Sequence, residues 1–118
     1  MTKRRCYLAG PMRGRSASQA EHAFNWNARQ LRCAGWEVLN PGAFGVQSVD
    51  GMTPKDFIVR DVAMLLSLNP AQGDAIVLLP GYELSPGARA ELALAQWYGL
   101  RTLLLSEALQ ERHDEEVV

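Results

Sequence analysis

The chain has 118 residues, 47% of them apolar and 21% charged, with a net charge of -1, which is enough for one hydrophobic core and too little for two, so a single domain over residues 1–118 is expected. The near-neutral balance offers no basic stripe for a nucleic-acid polymer, and the apolar runs, such as Ala75 to Leu79 and Thr102 to Leu105, fall far short of the ~20 residues that a bilayer span needs. The opening MTKRR leads into no apolar h-region, so a cytoplasmic protein is expected, with neither membrane nor nucleic acid as partner.

Arg5 to Ala9 is a short apolar run that breaks at Gly10-Pro11 and reads as a buried first strand. The loop after it, Met12-Arg13-Gly14-Arg15-Ser16, carries glycine for close backbone approach and arginine for a forked cationic donor. That composition suits a phosphate cradle, and equally a plain strand-to-helix turn with solvated arginines. A first helix is predicted from about Ser18 to Cys33, with Phe24, Ala28 and Leu31 inward and Gly35 as its stop. Trp26 and Trp36 read as edge packing. The second strand is Trp36 to Leu39, halted by Asn40-Pro41-Gly42, and the long loop to Met52 has the length of a lid or binding loop.

The second helix has an explicit start, with Thr53 as N-cap, Pro54 at the first helical position and Asp56 three residues after the cap. Phe57, Ile58, Val62, Leu65 and Leu66 make its predicted apolar face. Asp61 lies one turn from both Phe57 and Leu65, so a carboxylate falls on or beside that face, with Arg60 as a candidate ion-pair partner at the surface. Asn69, Pro70 and Gly73 end the helix, and Asp74 opens a third strand, Ala75 to Leu79.

Ser85 and Pro86 then open a third helix, on which Ala88, Leu92 and Ala95 recur on the inner face and Gly99 is the stop. Glu91 lies one turn from Ala88 and near Ala95. A carboxylate there, just past a helix N-terminus that follows a strand, sits where open α/β sheets bind ligands. The competing reading is an edge residue that snorkels to water or pairs with Arg89 or Arg101. The fourth strand is Arg101 to Leu105, Ser106 is the expected cap of a last helix through Ala108, Leu109 and Arg112, and the acidic tail is expected to be solvated.

Cys6 and Cys33 stand in no metal-binding spacing and read as buried free thiols. With only His22 and His113 beside them, no zinc cluster can be assembled, and neither metal nor cofactor is expected. Alternating strands and helices, with strands apolar throughout, predict an α/β fold: a small open parallel sheet of four to five strands with helices on both faces, Rossmann- or flavodoxin-like. The loops after strands one and three should then meet at one edge of the sheet, above Glu91.

On these residues the chain resembles the nucleoside 2-deoxyribosyltransferase-like superfamily from Cys6 to Gly99, and is similar at motif level to deoxyribonucleoside 5'-monophosphate N-glycosidases. Three blocks carry the resemblance. The block Tyr7-Leu8-Ala9-Gly10-Pro11-Met12-Arg13-Gly14 looks like that superfamily's opening strand and phosphate loop, and the resemblance implies that Tyr7 helps hold the catalytic Glu while Gly10, Met12, Arg13 and Gly14 meet a 5'-phosphate. Arg60-Asp61 matches its helix-borne Asp, which implies that Asp61 contacts the sugar and assists the departing base. Ser85-Pro86-Gly87-Ala88-Arg89-Ala90-Glu91 keeps its Ser, Gly and Glu spacing, which implies Ser85 and Gly87 at the phosphate and Glu91 at the anomeric carbon.

The chain departs from the pattern at Pro11 and in the inserted Pro80-Gly81-Tyr82-Glu83-Leu84, and Pro80 to Glu91 is also similar to the Lonely Guy type of phosphoribohydrolase. Two function classes stay open. One is an enzyme that cleaves or exchanges the N-glycosidic bond of a nucleotide or nucleoside through the Glu91/Asp61 pair. The other is a non-catalytic nucleotide-binding or sensor module with the same pocket. A small-molecule nucleotide or nucleoside is the expected partner in both, and the resemblance implies a homodimer or higher homo-oligomer.

Overall fold

The computed structural model describes residues 3–11, 17–44, 51 and 53–111. Four strands, β1 (Arg5–Ala9), β2 (Glu37–Leu39), β3 (Ala75–Leu78) and β4 (Arg101–Leu104), form one sheet in the order β2-β1-β3-β4. Every neighbouring pair is parallel. Four α-helices connect and follow them: α1 (Ala17–Cys33), α2 (Pro54–Leu66), α3 (Pro86–Tyr98) and α4 (Leu105–Gln110), with short 3-10 turns at Pro41–Phe44, Pro70–Gln72 and Tyr82–Leu84. The chain is thus an open α/β fold of the Rossmann/flavodoxin-like kind.

The period-two alternation of β1 sorts its side chains between two cores. Cys6 and Leu8 point to one face with Ala75 and Val77, where α1 supplies Phe24, Ala28 and Leu31 and α4 supplies Ala108. Tyr7 and Ala9 point to the other with Ile76 and Leu78, covered by Leu65 of α2 and by Ala88 and Ala95 of α3. Passing from β1 out to β2 and then back across to β3 reverses direction, and right-handed crossovers accordingly put α1 and α2 on opposite faces. The reversal places a topological switch point between β1 and β3, where the chain leaves β1 for α1 on one face and β3 for α3 on the other, the edge at which open α/β sheets bind ligands.

The helix ends follow the local chemistry of the sequence. Thr53 and Asp56 close a reciprocal cap at α2: the Thr53 backbone N–H donates to Asp56 Oδ2 at 2.7 Å and the Asp56 backbone N–H to Thr53 Oγ1 at 3.3 Å. Ser85 Oγ accepts from the Ala88 N–H at 3.2 Å at the start of α3. Gly99, with φ of 98°, ends that helix in the left-handed region, and the Leu100 N–H returns to the Ala95 carbonyl at 2.9 Å.

Several expectations are corrected. Ile58 and Leu66 are exposed, while Leu65 and Met64 pack into the core under α3. Leu66 lies a quarter turn off Leu65, and Ile58 shares the Leu65 stripe but sits two turns nearer the helix N-terminus, where it is left uncovered. Cys33 is exposed at the last residue of α1, so Cys6 alone is a buried thiol, its pKa pushed up to about 12 by burial. Trp36 is no edge residue: it is fully buried ahead of β2 and its indole N–H donates to the Ala108 carbonyl at 3.0 Å, joining α4 to the core. Ser106 does not cap α4. Leu104 occupies the cap position and its N–H is taken by the Glu107 carboxylate at 2.7 Å. No helix among the described residues is long and apolar enough to cross a membrane.

Candidate functional site

Tyr7 sits in the middle of β1 with no exposed surface, so its hydroxyl must find a partner inside the protein. That partner is Glu91: the Tyr7 O–H donates to Glu91 Oε2 at 2.6 Å across 84 residues of sequence. A separation in the short range for a hydroxyl on a carboxylate marks a strong, charge-assisted bond. Glu91 therefore does not pair with Arg89 or Arg101. Arg101 is held instead by the Glu111 carboxylate at the other, amino-terminal end of β4.

Burial governs the electrostatics of Glu91. Loss of water raises its pKa from 4.5 to about 7; the Tyr7 hydrogen bond pulls it down and the negative charge of Asp61 pushes it further up. The direction of this shift is not legible in the sequence, because the N-terminal dipole of α3 and burial act in opposite senses. Tyr7 is itself raised, by burial first and then by the charges of Glu91 and Asp61, and so stays a donor.

Asp61 comes to this group from α2, which lies against α3. Its side chain is only 16% exposed and forms a salt bridge with Arg60, whose Nε donates to Asp61 Oδ1 at 2.9 Å. Burial raises the Asp61 pKa and the Arg60 guanidinium opposes that rise. The ion pair anticipated from sequence is present, and it coexists with burial and with charge coupling to Glu91. Among the described residues, no group of three or more His, Cys, Asp and Glu side chains is arranged to hold a metal ion.

Three of the remaining candidates, Gly10, Ser85 and Gly87, lie at the carboxyl edge. Gly10 follows β1 beside Leu79, and a Cβ there would come within 2.8 Å of the Leu79 Cβ, so packing between the ends of β1 and β3 already demands glycine. Gly87 is different. It is exposed in the first turn of α3, and the nearest atom to an added Cβ is Ser85 Oγ at 3.9 Å, so no internal contact calls for glycine. Ser85 and Gly87 stand together at the N-terminus of α3, where the Gly87 backbone N–H and the helix dipole favour an anion; Pro86 has no N–H and that of Ala88 is taken by Ser85 Oγ. Met12, Arg13 and Gly14 lie outside the described residues.

Arg60 and Asn40 gain parts that sequence reasoning did not give them. The buried Asn40 accepts the Gly42 N–H through its Oδ1 at 2.9 Å and donates to Asn25 Oδ1 at 2.9 Å, which fixes the turn after β2. Arg60 reaches from α2 to the carbonyl of Pro41 in that turn at 3.2 Å. An Asn directly after a strand and before Pro-Gly is the available signal for the first; nothing local announces the second.

Fold and site together define an open α/β domain with two coupled carboxylates, Glu91 and Asp61, on adjacent helices below the carboxyl ends of its central strands. Residues 4–104 match the family model described as Domain of unknown function (DUF4406), and the chain belongs to that family. Comparison with curated proteins and with solved structures gave no match.

Proposed function

We propose that this protein is an N-glycosidase or deoxyribosyltransferase of the nucleoside 2-deoxyribosyltransferase-like superfamily, acting on a nucleoside 5'-monophosphate or nucleoside. One observation carries the reading: a carboxylate held by a buried tyrosine hydroxyl at 2.6 Å, charge-coupled to a second carboxylate from another helix, at the ligand-binding edge of an open sheet. Glycosyl transfer asks for this pair. Glu91 Oε1, which takes no hydrogen bond from the described residues, meets the anomeric carbon as nucleophile or as stabiliser of an oxocarbenium-like transition state. The C–N bond then breaks, its electron pair leaves with the base, and the base takes a proton from Asp61 or through water beside it. Water or a second base completes hydrolysis or exchange. The test is incubation with a panel of ribo- and deoxyribonucleoside monophosphates and the matching nucleosides, with free base followed by chromatography. Tight binding without base release from any of them supports the binding-module alternative and removes the enzyme.

Phosphate recognition is assigned to the N-terminus of α3 with the loop after β1. Exposed glycine in a helix is less favourable than alanine by up to about 1 kcal/mol, so Gly87→Ala is expected to leave the fold equally or slightly more stable. Its methyl would stand where the phosphate approaches the backbone. The expected result is a raised or unchanged melting temperature together with weaker binding of nucleoside monophosphates, the matching nucleosides being unaffected. A variant that binds both classes as the wild type does removes Gly87 from the phosphate site.

A homodimer or larger assembly is the proposed state in solution. Trp97 is 88% exposed on α3 and Ile58 is 63% exposed on α2, side chains that a monomer leaves to water at a cost of solubility. Sedimentation at micromolar concentration is expected to show at least a dimer, shifted toward monomer by Trp97→Glu. A clean monomer for the wild type overturns this assignment.

A further inference from the structure

Residues i and i+1 of a helix point about 100° apart, and an ion pair between them is ordinarily a loose surface contact. Arg60 and Asp61 do not fit that description. The Arg60 guanidinium lies over the Phe57 ring one turn back, 5.1 Å from its centroid, and from there closes on Asp61 with two nitrogens on a single oxygen: Nε and NH2 are each 2.9 Å from Oδ1. The same terminal nitrogen donates to the Pro41 carbonyl at 3.2 Å. The two side chains are 22% and 16% exposed. Among the described residues nothing donates to Asp61 Oδ2, the oxygen left for other use.

We propose that Arg60 is a positioning residue of the candidate site: by gripping Asp61 Oδ1 and the Pro41 carbonyl with one planar fork, it fixes the direction of Asp61 Oδ2 relative to the turn that follows β2. The inference rests on the reading of Glu91 and Asp61 as the pair that acts on the N-glycosidic bond. The turn is a firm anchor. Pro41 is buried, Asn40 ties the Gly42 N–H and Asn25 together, and a Cβ at Gly42 would come within 2.6 Å of the Phe24 Cβ, so the turn is seated directly on α1. A planar guanidinium serves two acceptors and a ring face with nitrogens spread in one rigid plane, whereas an ammonium gathers its three donors on a single nitrogen at the end of a flexible stem. Arg60 acts through Asp61, and the turn carrying Pro41 sets where Asp61 acts.

The test pairs turnover with a measurement that does not need it. Arg60→Gln is expected to lower kcat about tenfold or more with KM changed by less than about threefold, the pattern of a misplaced catalytic group. Arg60→Lys, which keeps the charge and loses the fork, is expected to recover little of it. In an Asp61→Asn background, Arg60→Gln is expected to cost nothing further. An equal loss in both backgrounds, or a Lys variant with full kcat, overturns the proposal. Independently of turnover, the Asp61 carboxyl is followed by carbon-13 NMR; Glu91 from α3, Tyr7 from β1 and Arg60 on its own helix are the groups coupled to it among the described residues. Its midpoint is expected to rise by about one pH unit or more in Arg60→Gln, and an unchanged midpoint overturns the proposal whatever the turnover. A raised midpoint in a protein that releases no base leaves Arg60's hold on Asp61 standing and removes the glycosidic reading.

Discussion

Glu91→Gln is expected to abolish most base release while leaving the protein folded, and to make it more stable at pH 8. The first effect follows from charge. Gln keeps the length and helix propensity of Glu and still accepts from the Tyr7 hydroxyl, but it cannot attack or electrostatically stabilise a developing oxocarbenium centre, so turnover should fall by about two orders of magnitude or more. The second follows from linkage. The folded state raises the Glu91 pKa from 4.5 to about 7, so it binds the proton more tightly than the unfolded chain does. Below pH 4.5 both states are protonated and nothing is lost. As pH rises from 4.5 to 7 the unfolded chain ionises first, and above 7 the native state carries the full cost of a buried charge, up to about 3 kcal/mol. The Gln variant escapes that cost, so its advantage in denaturant unfolding should be present at pH 8 and gone at pH 4.5. A variant with wild-type base release overturns the mechanism, and an advantage independent of pH places the effect in packing rather than in charge.

Legibility in the sequence was uneven for a physical reason. Caps and stops are local chemistry: Thr53, Pro54 and Asp56 mark the start of α2, and Ser85, Pro86 and Gly99 both bounds of α3, whereas α2 ends at Leu66 with Ser67 as its C-cap, ahead of the expected stop at Asn69. Strand parity and strand composition are local too, and four apolar runs gave the parallel sheet. The rotation of α2 about its axis is a tertiary property. Ile58 and Leu66 read as inward from periodicity, yet Leu65 is the residue that is fully buried. Leu66 lies a quarter turn off it, and Ile58, on the same stripe two turns nearer the N-terminus, stays in solvent, because how much of a stripe is covered depends on what packs against it. Trp36 likewise read as peripheral because nothing near it in sequence reveals that α4 will bring the Ala108 carbonyl to its indole.

The candidate site shows the same division. Glu91 stood out because a carboxylate interrupted an apolar stripe, and Asp61 for a similar reason. Tyr7 entered through resemblance alone. Yet a tyrosine in the middle of a fully buried strand is itself a signal, because its hydroxyl requires a partner and the nearest helix with an inward carboxylate is a natural source. The sign of the Glu91 shift was beyond reach, since it depends on how far α3 sinks Glu91 below the sheet edge and on how close α2 brings Asp61.

Tyr7→Phe is expected to move the acid limb of the pH-activity profile upward. Glu91 must be ionised to meet the anomeric carbon, so kcat/KM should rise with pH through the Glu91 pKa, near 7 in the free protein. The Tyr7 hydrogen bond lowers that pKa against burial and against Asp61, and it is short, at 2.6 Å. Phe fills the same space and removes the donor, so the Glu91 anion loses a bond to a charged group, about 1.5–3 kcal/mol in such settings. Converted at 1.36 kcal/mol per pH unit, the acid limb should move up by about one to two units. Activity at pH 7 then falls by about fivefold to fiftyfold, and much of it returns at pH 9, where Glu91 is ionised again. That recovery separates this role from a structural one, because a Phe variant that had merely disturbed the core around Ile76 and Leu65 would lose activity equally at every pH. A profile that falls without shifting therefore places Tyr7 in the packing of β1 against α3, and a profile identical to the wild type removes it from the site.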